Sequence, residues 1–425
     1  MAELNELSAI EAARRIESGD LTAEALMRAC LERVAERDET VRAWAHLDPD
    51  QAIAGAMAAD AAGNPGPLAG LPVAVKDIID TADMPTRHGS TIYGLNRPNA
   101  DAAVVTQTRQ RGGVVMGKTV TTEFAWRNPG PTGNPHNAAH TPGGSSSGSA
   151  AGVADFQFPL AFGTQTAGSV IRPAAYCGAV GFKPSVGTHS REGVKELSSY
   201  LDTVGCFARS VEDAAFFDAV LRGGAPAALD GFDTTPPRIG VMVPFRIEAE
   251  TAALDMLETV WRRAEAAGAA IRDVPSSTDF EALADLQTVV MTGDSGRALE
   301  WEYARHPERL TRFYRDNIAL GLAMADDALA AAKARADKAR EEQAALFEGV
   351  DVLLTLPAPG EAPLGLGFTG DPLFNRVWTI LGWPCVTIPA GSGPNGLPLG
   401  AQIIAPAGED ARALAAAAWL EKALD

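Results

Sequence analysis

The sequence predicts an α/β layered domain, and three observations predict it. From about residue 70 to the end, short β-branched apolar runs alternate with amphipathic or alanine-rich stretches, the pattern of strands interleaved with helices. The 425 residues are 46 % hydrophobic and 21 % charged, an ordinary composition for a chain with a packed core. No internal repeat and no second break in composition divides the chain into separate units.

The elements follow in order. Residues 8 to 37 carry helical periodicity. Ser8 stands three residues before Glu11, the spacing of a capping box, Gly19 stops this first helix, and Thr22 opens the next over "TAEALMRACLERVAERD". Residues 51 to 62 form an alanine-rich helix. "LPVAVKDIID" (71 to 80) reads as a strand, "VVTQTRQRGG" as a helix stopped by Gly112 and Gly113, and "VVMGKT" as a buried strand. "RIGVMV" (238 to 243) is strand-like, 251 to 268 helical, and 280 to 348 long, charged and helical. The tail supplies the strands "DVLLTL", "CVTIPA" and "GAQIIA" and a last helix at 409 to 424.

Charge and composition narrow the function. A net charge of −18 repels phosphate backbones, so nucleic acid is an unfavourable partner. No run of 18 apolar residues and no basic-then-apolar leader occurs, so neither a membrane span nor a signal peptide is expected. The cysteines Cys30, Cys177, Cys206 and Cys385 are far apart and form no CxxC, which argues against disulfides or zinc and for a cytoplasmic setting. No metal or cofactor is expected.

Three motif matches mislead. "GGVVMGKT" (112 to 119) spells a P-loop, but a helical segment precedes it and its interior is β-branched, where amides wrapped around phosphate require small residues. "GSSSG" (144 to 148) spells GxSxG without the preceding strand that a nucleophile elbow needs. His136 and His140 have the spacing of helical metal ligands, yet Pro135 and Pro142 bracket them. The remaining histidines are isolated in sequence.

Two Gly/Ser stretches and one lysine remain. Ser145 lies in "TPGGSSSGSAAG", which by composition alone could be a flexible linker. Apolar sequence flanks it on both sides, so it reads as a buried turn. Ser169 lies in "GTQTAGSVIRP", where Ala167 and Gly168 allow consecutive backbone N–H groups to converge as an oxyanion hole requires. Lys76 is embedded in the apolar run "LPVAVKD"; taken alone, it could equally be a lysine snorkelling beside Asp77 or Asp80.

Together, "GLPVAVKD", "TPGGSSSGSAA" and "GTQTAGSVIRPAAYCGAVGFKPS" resemble the amidase signature family. The likeness extends to "LTAEALMRACLERV", "DAAVVTQTRQRGGVVMGKTVTTEFA", "LDTVGCFARSVEDAA" and "GDPLFNRVWTILGWPCVTIPAG", and is least clear over 245 to 345. It implies a large mixed β-sheet core covered by helices on both faces. It also implies a single domain over 1–425, with N-terminal helices at 1–65, the signature core at 66–210 and a helical insertion at 245–348. The site implied is a Ser-cisSer-Lys triad: Ser169 as nucleophile, Ser145 after a cis peptide bond as bridge, and Lys76 as base. The N–H groups of Thr166, Ala167, Gly168 and Ser169 would hold the oxyanion.

A lysine base must be neutral, so activity is expected to rise toward alkaline pH. The family pattern near GTDTGGSIRxP is altered here at Gln165, Ala167 and Arg172, and Ser147 stands where glycine is common. The usual Asp–Arg support of the loop is thereby lost, and neutral hydrogen bonds from Gln165 are the expected replacement. The tail is similar to that of stand-alone members cleaving small amides, aryl amides and carbamates, with esters as a side activity. The glutaminase component of a tRNA-dependent amidotransferase complex is the alternative. Phe124, Trp126, Leu201, Phe374, Trp378 and Trp383 are candidates for an apolar substrate pocket. The expected partners are a small amide, ester or carbamate and, at most, a second copy of the chain as a homodimer.

Overall fold

The computed structural model describes residues 3–63, 66–224, 235–276 and 279–424. Its strands in chain order are β1 (Trp44–Leu47), β2 (Pro72–Lys76), β3 (Val114–Thr119), β4 (Leu160–Gln165), β5 (Val180–Lys183), β6 (Thr203–Ala208), β7 (Arg238–Val241), β8 (Ala270–Asp273), β9 (Val352–Thr355), β10 (Cys385–Ser392) and β11 (Pro398–Ile404). They form one 11-stranded sheet in the order β1-β3-β2-β4-β6-β5-β10-β11-β9-β7-β8. The sheet is mixed: β2 runs parallel to β3 and β4, and β7 to β8 and β9, whereas the other pairs are antiparallel. Helices pack over it, and the large mixed sheet expected from the sequence is observed.

Local signals explain most element ends. Ser8 Oγ accepts the Glu11 N–H, Gly19 takes the left-handed conformation (φ 81°), and Thr22 Oγ1 accepts the Ala25 N–H, so both N-terminal helices begin, and the first ends, where the sequence places them; the second runs on to Val41, beyond the expected residue 37. β2 is shorter than the stretch 71 to 80, because the chain turns back at Asp77–Ile79 through N–H bonds from Ile78 and Ile79 to Lys76 O. β4 and β6 are buried at every position and therefore show no alternation in sequence. The charged stretch 280 to 348 is not one helix. It divides into Phe280–Ala298, Glu300–Arg305, Arg312–Ala323 and Asp326–Glu342, and His306 precedes Pro307 at one of the breaks. The stretch 245 to 348 also contributes β8 to the edge of the sheet.

The Gly/Ser stretch lies in the core. Residues 141 to 153 are all buried, and Ser147–Ala154 is a helix. A Cβ at Gly148 would collide with the backbone at Ala43 O and Val120 N, so only glycine fits there. "GKT" lies inside β3, a buried strand with no phosphate-cradling loop. His136 and His140 each bond a backbone carbonyl, of Cys177 and Ala362 respectively. Among the described residues no helix is long and apolar enough to cross a membrane.

Candidate active site

Two neighbouring parallel strands place the chemistry. Lys76 is the last residue of β2, and the loop 166–170 leaves the end of β4, so both groups gather at the carboxyl ends of parallel strands, where open sheets form their clefts. Lys76 is fully buried. Its Nζ lies 2.7 Å from Ser145 Oγ, 2.8 Å from Thr164 Oγ1 and 3.4 Å from Thr164 O. Burial among apolar strand residues drives its pKa well below the ordinary lysine value, opposed only by the more distant Asp202 carboxylate.

The turn before Ser145 is held from several sides. The Gly144–Ser145 peptide is cis. Arg172 Nη2 donates to Gly144 O at 2.7 Å, Ser147 Oγ donates to Gly143 O at 2.9 Å, and the Thr122 N–H donates to Ser145 O at 3.1 Å. Arg172 therefore braces the serine turn rather than pairing with residue 165. Burial lowers its pKa to about 10.

Gln165 replaces the charged support with neutral bonds. Its Oε1 accepts the N–H groups of Val170 (2.9 Å) and Ile171 (3.1 Å), and its Nε2 donates to Thr379 Oγ1 (3.0 Å). Between these anchors lies Ser169, 7 % exposed. Its hydroxyl makes no hydrogen bond among the described residues and borders a cavity of about 350 Å³. Larger hollows of about 560 and 620 Å³ lie elsewhere and contain none of Lys76, Ser145 or Ser169.

The cavity is lined on one side by Thr166, Ala167, Ser169 and Arg172. Trp126, Leu197, Met291 and Phe313 form an apolar wall, and Arg127, Asn317, Asp371 and Arg376 supply polar groups. Of the six apolar candidates, Trp126 alone borders it. The other five are corrected to core positions. Phe124 packs edge-on to Tyr93 and Tyr314. Leu201 lies in the apolar cluster around Trp378. Phe374 packs on Phe245, and Trp378 stacks on Trp383. Helix geometry gives the reason for Phe374 and Trp378. They are four residues apart on the helix Leu373–Ile380 and share its inward face. Arg376 and Thr379, three apart, share the face turned to the site.

Sequence reasoning missed Thr164, Asp202, Gln287 and Thr379. Asp202 accepts the Thr166 hydroxyl at 2.5 Å and the N–H groups of Leu197 and Ser198. It is the immediate neighbour of Leu201, so the same turn carries the polar contact to the loop at Asp202 while the Leu201 side chain points into the core.

A buried lysine thus lies against one serine, and a second serine borders a cavity beside N–H groups that have no protein acceptor among the described residues. The chain matches the Amidase family over residues 25–414. The chain belongs to the Amidase family. It is accordingly an amidase-signature serine hydrolase acting on C–N bonds. Among relatives, a glutamyl-tRNA(Gln) amidotransferase subunit from Acidothermus cellulolyticus is 35 % identical, aligned over 100 % of this chain and 95 % of that protein. Its counterpart from Streptomyces coelicolor is 33 % identical over 100 % and 97 %. Among solved structures, a crystal structure of an amidase superposes with a TM-score of 0.89 at 30 % identity, covering 99 % of this chain and 100 % of the other. The native peptide amidase of Stenotrophomonas maltophilia gives 0.83 at 28 %, covering 99 % and 97 %.

Proposed function

We propose that this member of the Amidase family is a free-standing hydrolase of small amides, anilides or carbamates, acting through an acyl-enzyme on Ser169. The observation that carries the reading is the position of the Lys76 amine: fully buried, 2.7 Å from Ser145 Oγ, and with no carboxylate paired to it among the described residues. A lysine so placed is held neutral and can take a proton. In the proposed sequence Lys76 takes the Ser145 proton as Ser145 takes that of Ser169. Ser169 Oγ then attacks the carbonyl carbon. The N–H groups of the loop from Thr166 to Ser169 hold the oxyanion, the relay returns a proton to the leaving amine, and water releases the acyl group. The Ser145–Ser169 leg closes when substrate fills the cavity, since catalytic hydrogen bonds tighten in the complex.

The chain is proposed to work as one catalytic domain, the helices between 245 and 348 forming an insertion that walls the cavity with Met291, Phe313 and Asn317. The small volume and the Trp126–Phe313 wall favour compact acyl or aryl groups. Four buried free cysteines fit a cytoplasmic setting.

The amidotransferase relatives support a second reading, a glutaminase-type component of a complex. The alignment of the Acidothermus cellulolyticus protein with this chain runs to 483 positions against 425 residues here, so that relative carries segments that this chain lacks, which favours the free-standing reading. A hydrolysis panel tests it: a primary amide, an acyl anilide, an aryl ester and an alkyl-aryl carbamate, each with the intact protein and with Ser169→Ala. Turnover that vanishes in the variant is expected. Equal turnover by both proteins removes Ser169 as nucleophile. Inactivity on all four, with a partner co-eluting on purification, transfers the assignment to the amidotransferase reading.

A further inference from the structure

We infer that Gln287 and Thr379, both outside the Gly/Ser stretches, are positioning residues that orient the oxyanion hole by holding the far side of its peptide planes. The inference rests on the reading of Ser169 as nucleophile. In a trans peptide the C=O of one residue and the N–H of the next lie in one plane and point in opposite directions. Gln287 Nε2 donates to Thr166 O at 2.9 Å, and this fixes the direction of the Ala167 N–H. Thr379 Oγ1 donates to Ala167 O at 2.6 Å, and this fixes the Gly168 N–H. The N–H groups of Ala167, Gly168 and Ser169 themselves have no protein acceptor among the described residues, and Ala167 and Ser169 border the cavity. The carbonyls are pulled back into the protein and the donors are left for the substrate oxygen.

The two clamps differ in origin. Thr379 is linked to the signature loop, since its Oγ1 also accepts from Gln165 Nε2, and Gln165 in turn takes the Val170 and Ile171 N–H groups. Gln287 reaches in from the helix Phe280–Ala298, the region with least resemblance to the family. It is fully buried, and its Oε1 has no hydrogen-bond partner. A buried amide oxygen left unpaired destabilises the fold, so stability alone does not account for a glutamine there. Turning the amide over would set Oε1 against Thr166 O, so the orientation that donates to the loop is the only compatible one. The amide also contacts Met291 Sδ at 3.6 Å, and Met291 lines the cavity, so Gln287 joins the substrate wall to the loop.

The test uses Gln287→Met, similar in size with no donor, and Thr379→Val, with Thr379→Ser as the conservative control. Steady-state kcat and KM are measured on the best substrate of the panel, with the inhibition constant of phenylboronic acid as a probe of the tetrahedral oxyanion. Removing a direct oxyanion donor lowers kcat by about 10²–10³, and misdirecting one is expected to lower it by about 10–100-fold. KM should stay within about threefold, boronate affinity should fall in parallel with kcat, and Thr379→Ser should restore both. Folded variants with wild-type kcat and boronate affinity overturn the inference, as does a rise in KM alone. Ser169→Ala is run alongside. If it keeps full turnover, the nucleophile reading has failed. If it is inactive while Gln287→Met and Thr379→Val are fully active, only the clamp has failed. Should Gln287→Met not fold, Thr379→Val carries the test.

Discussion

Two lysines one step apart on neighbouring strands have opposite surroundings. Lys76 ends β2, and Lys118 lies on β3 opposite Val75; both side chains are completely buried. Lys118 Nζ donates to Ile79 O at 2.7 Å and Thr86 Oγ1 at 2.5 Å and sits 3.5 Å from the Asp77 carboxylate. Lys76 Nζ meets only hydroxyls and a carbonyl. Burial lowers both pKa values; Asp77 and Asp80 oppose the fall at Lys118 and hold it at about 8, whereas at Lys76 only the more distant Asp202 opposes it. The counter-ion, rather than the burial, separates a structural cation from the base proposed here. The lysine that completed the P-loop spelling is the structural one.

The largest expected effect breaks the two apart in activity. Lys76→Met should lower kcat by about 10²–10⁴-fold, the range for a lost general base, in a protein that remains folded. Lys118→Met should leave kcat of the folded fraction within about tenfold. Steady-state kinetics on the same substrate checks both. An equal collapse in the two variants would mean that Asp77 and Lys118 belong to the proton path.

In stability the order reverses. Lys118→Met leaves the Asp77 carboxylate buried at a broken pair, a change that costs about 3–5 kcal/mol. Asp77→Asn in the same background removes the uncompensated charge and should recover part of the loss. Urea titrations of the three proteins measure this, and a Lys118→Met transition at the wild-type midpoint would contradict it.

The pH dependence is a smaller effect with a definite sign. The folded pKa of Lys76 is depressed, so between that value and ~10.4 the unfolded chain binds more protons at this site than the folded one. The stability of the wild type relative to Lys76→Met therefore rises with pH through that window, by at most about 1.4 kcal/mol per pH unit, and levels off near ~10.4. For Lys118 the corresponding window runs from about 8 to ~10.4. In activity, kcat/KM is expected to rise with pH as Lys76 loses its proton, with the limb below the ordinary lysine value of ~10.4 because burial depresses that pKa. A limb near ~10 would show that Lys76 is charged in the free enzyme.

The positions proposed for the triad stood out in the sequence because their stretches carry backbone constraints. Gly143 takes a left-handed φ of 80°, Gly148 admits no Cβ, and the run around Ser169 must leave its N–H groups open, so few sequences satisfy each. Within the long helical stretch Pro307 marks one break in the sequence itself, while the charged, alanine-rich remainder hides the others, which capping and packing set. The cavity wall was not legible for another reason. Met291, Phe313 and Asn317 need only the right volume and direction on helices, and many side chains meet that demand. Gln287 gave no signal at all: nothing in "ADLQTVV" separates a residue that clamps a distant carbonyl from an ordinary helix surface.

The lesson of the two lysines, that surroundings rather than residue type assign the role, has its smallest test among the tryptophans. Trp126 meets Phe313 and Tyr314 edge-on at 5.2 and 5.5 Å and borders the cavity, whereas Trp383 is 1 % exposed and stacks on Trp378. Losing aromatic contacts of this kind removes about 0.5–1.5 kcal/mol beyond area, so Trp126→Leu should raise KM by about two- to tenfold with kcat little changed. The rise should be larger for the acyl anilide than for the primary amide, because only the anilide offers an aryl ring to the Trp126–Phe313 wall. Trp383→Phe should leave both KM values unmoved and lower the melting temperature instead. A KM shift in Trp383→Phe equal to that in Trp126→Leu would show that the stacked pair reaches substrate after all, through movement of the helix Leu373–Ile380 that carries Arg376 into the site.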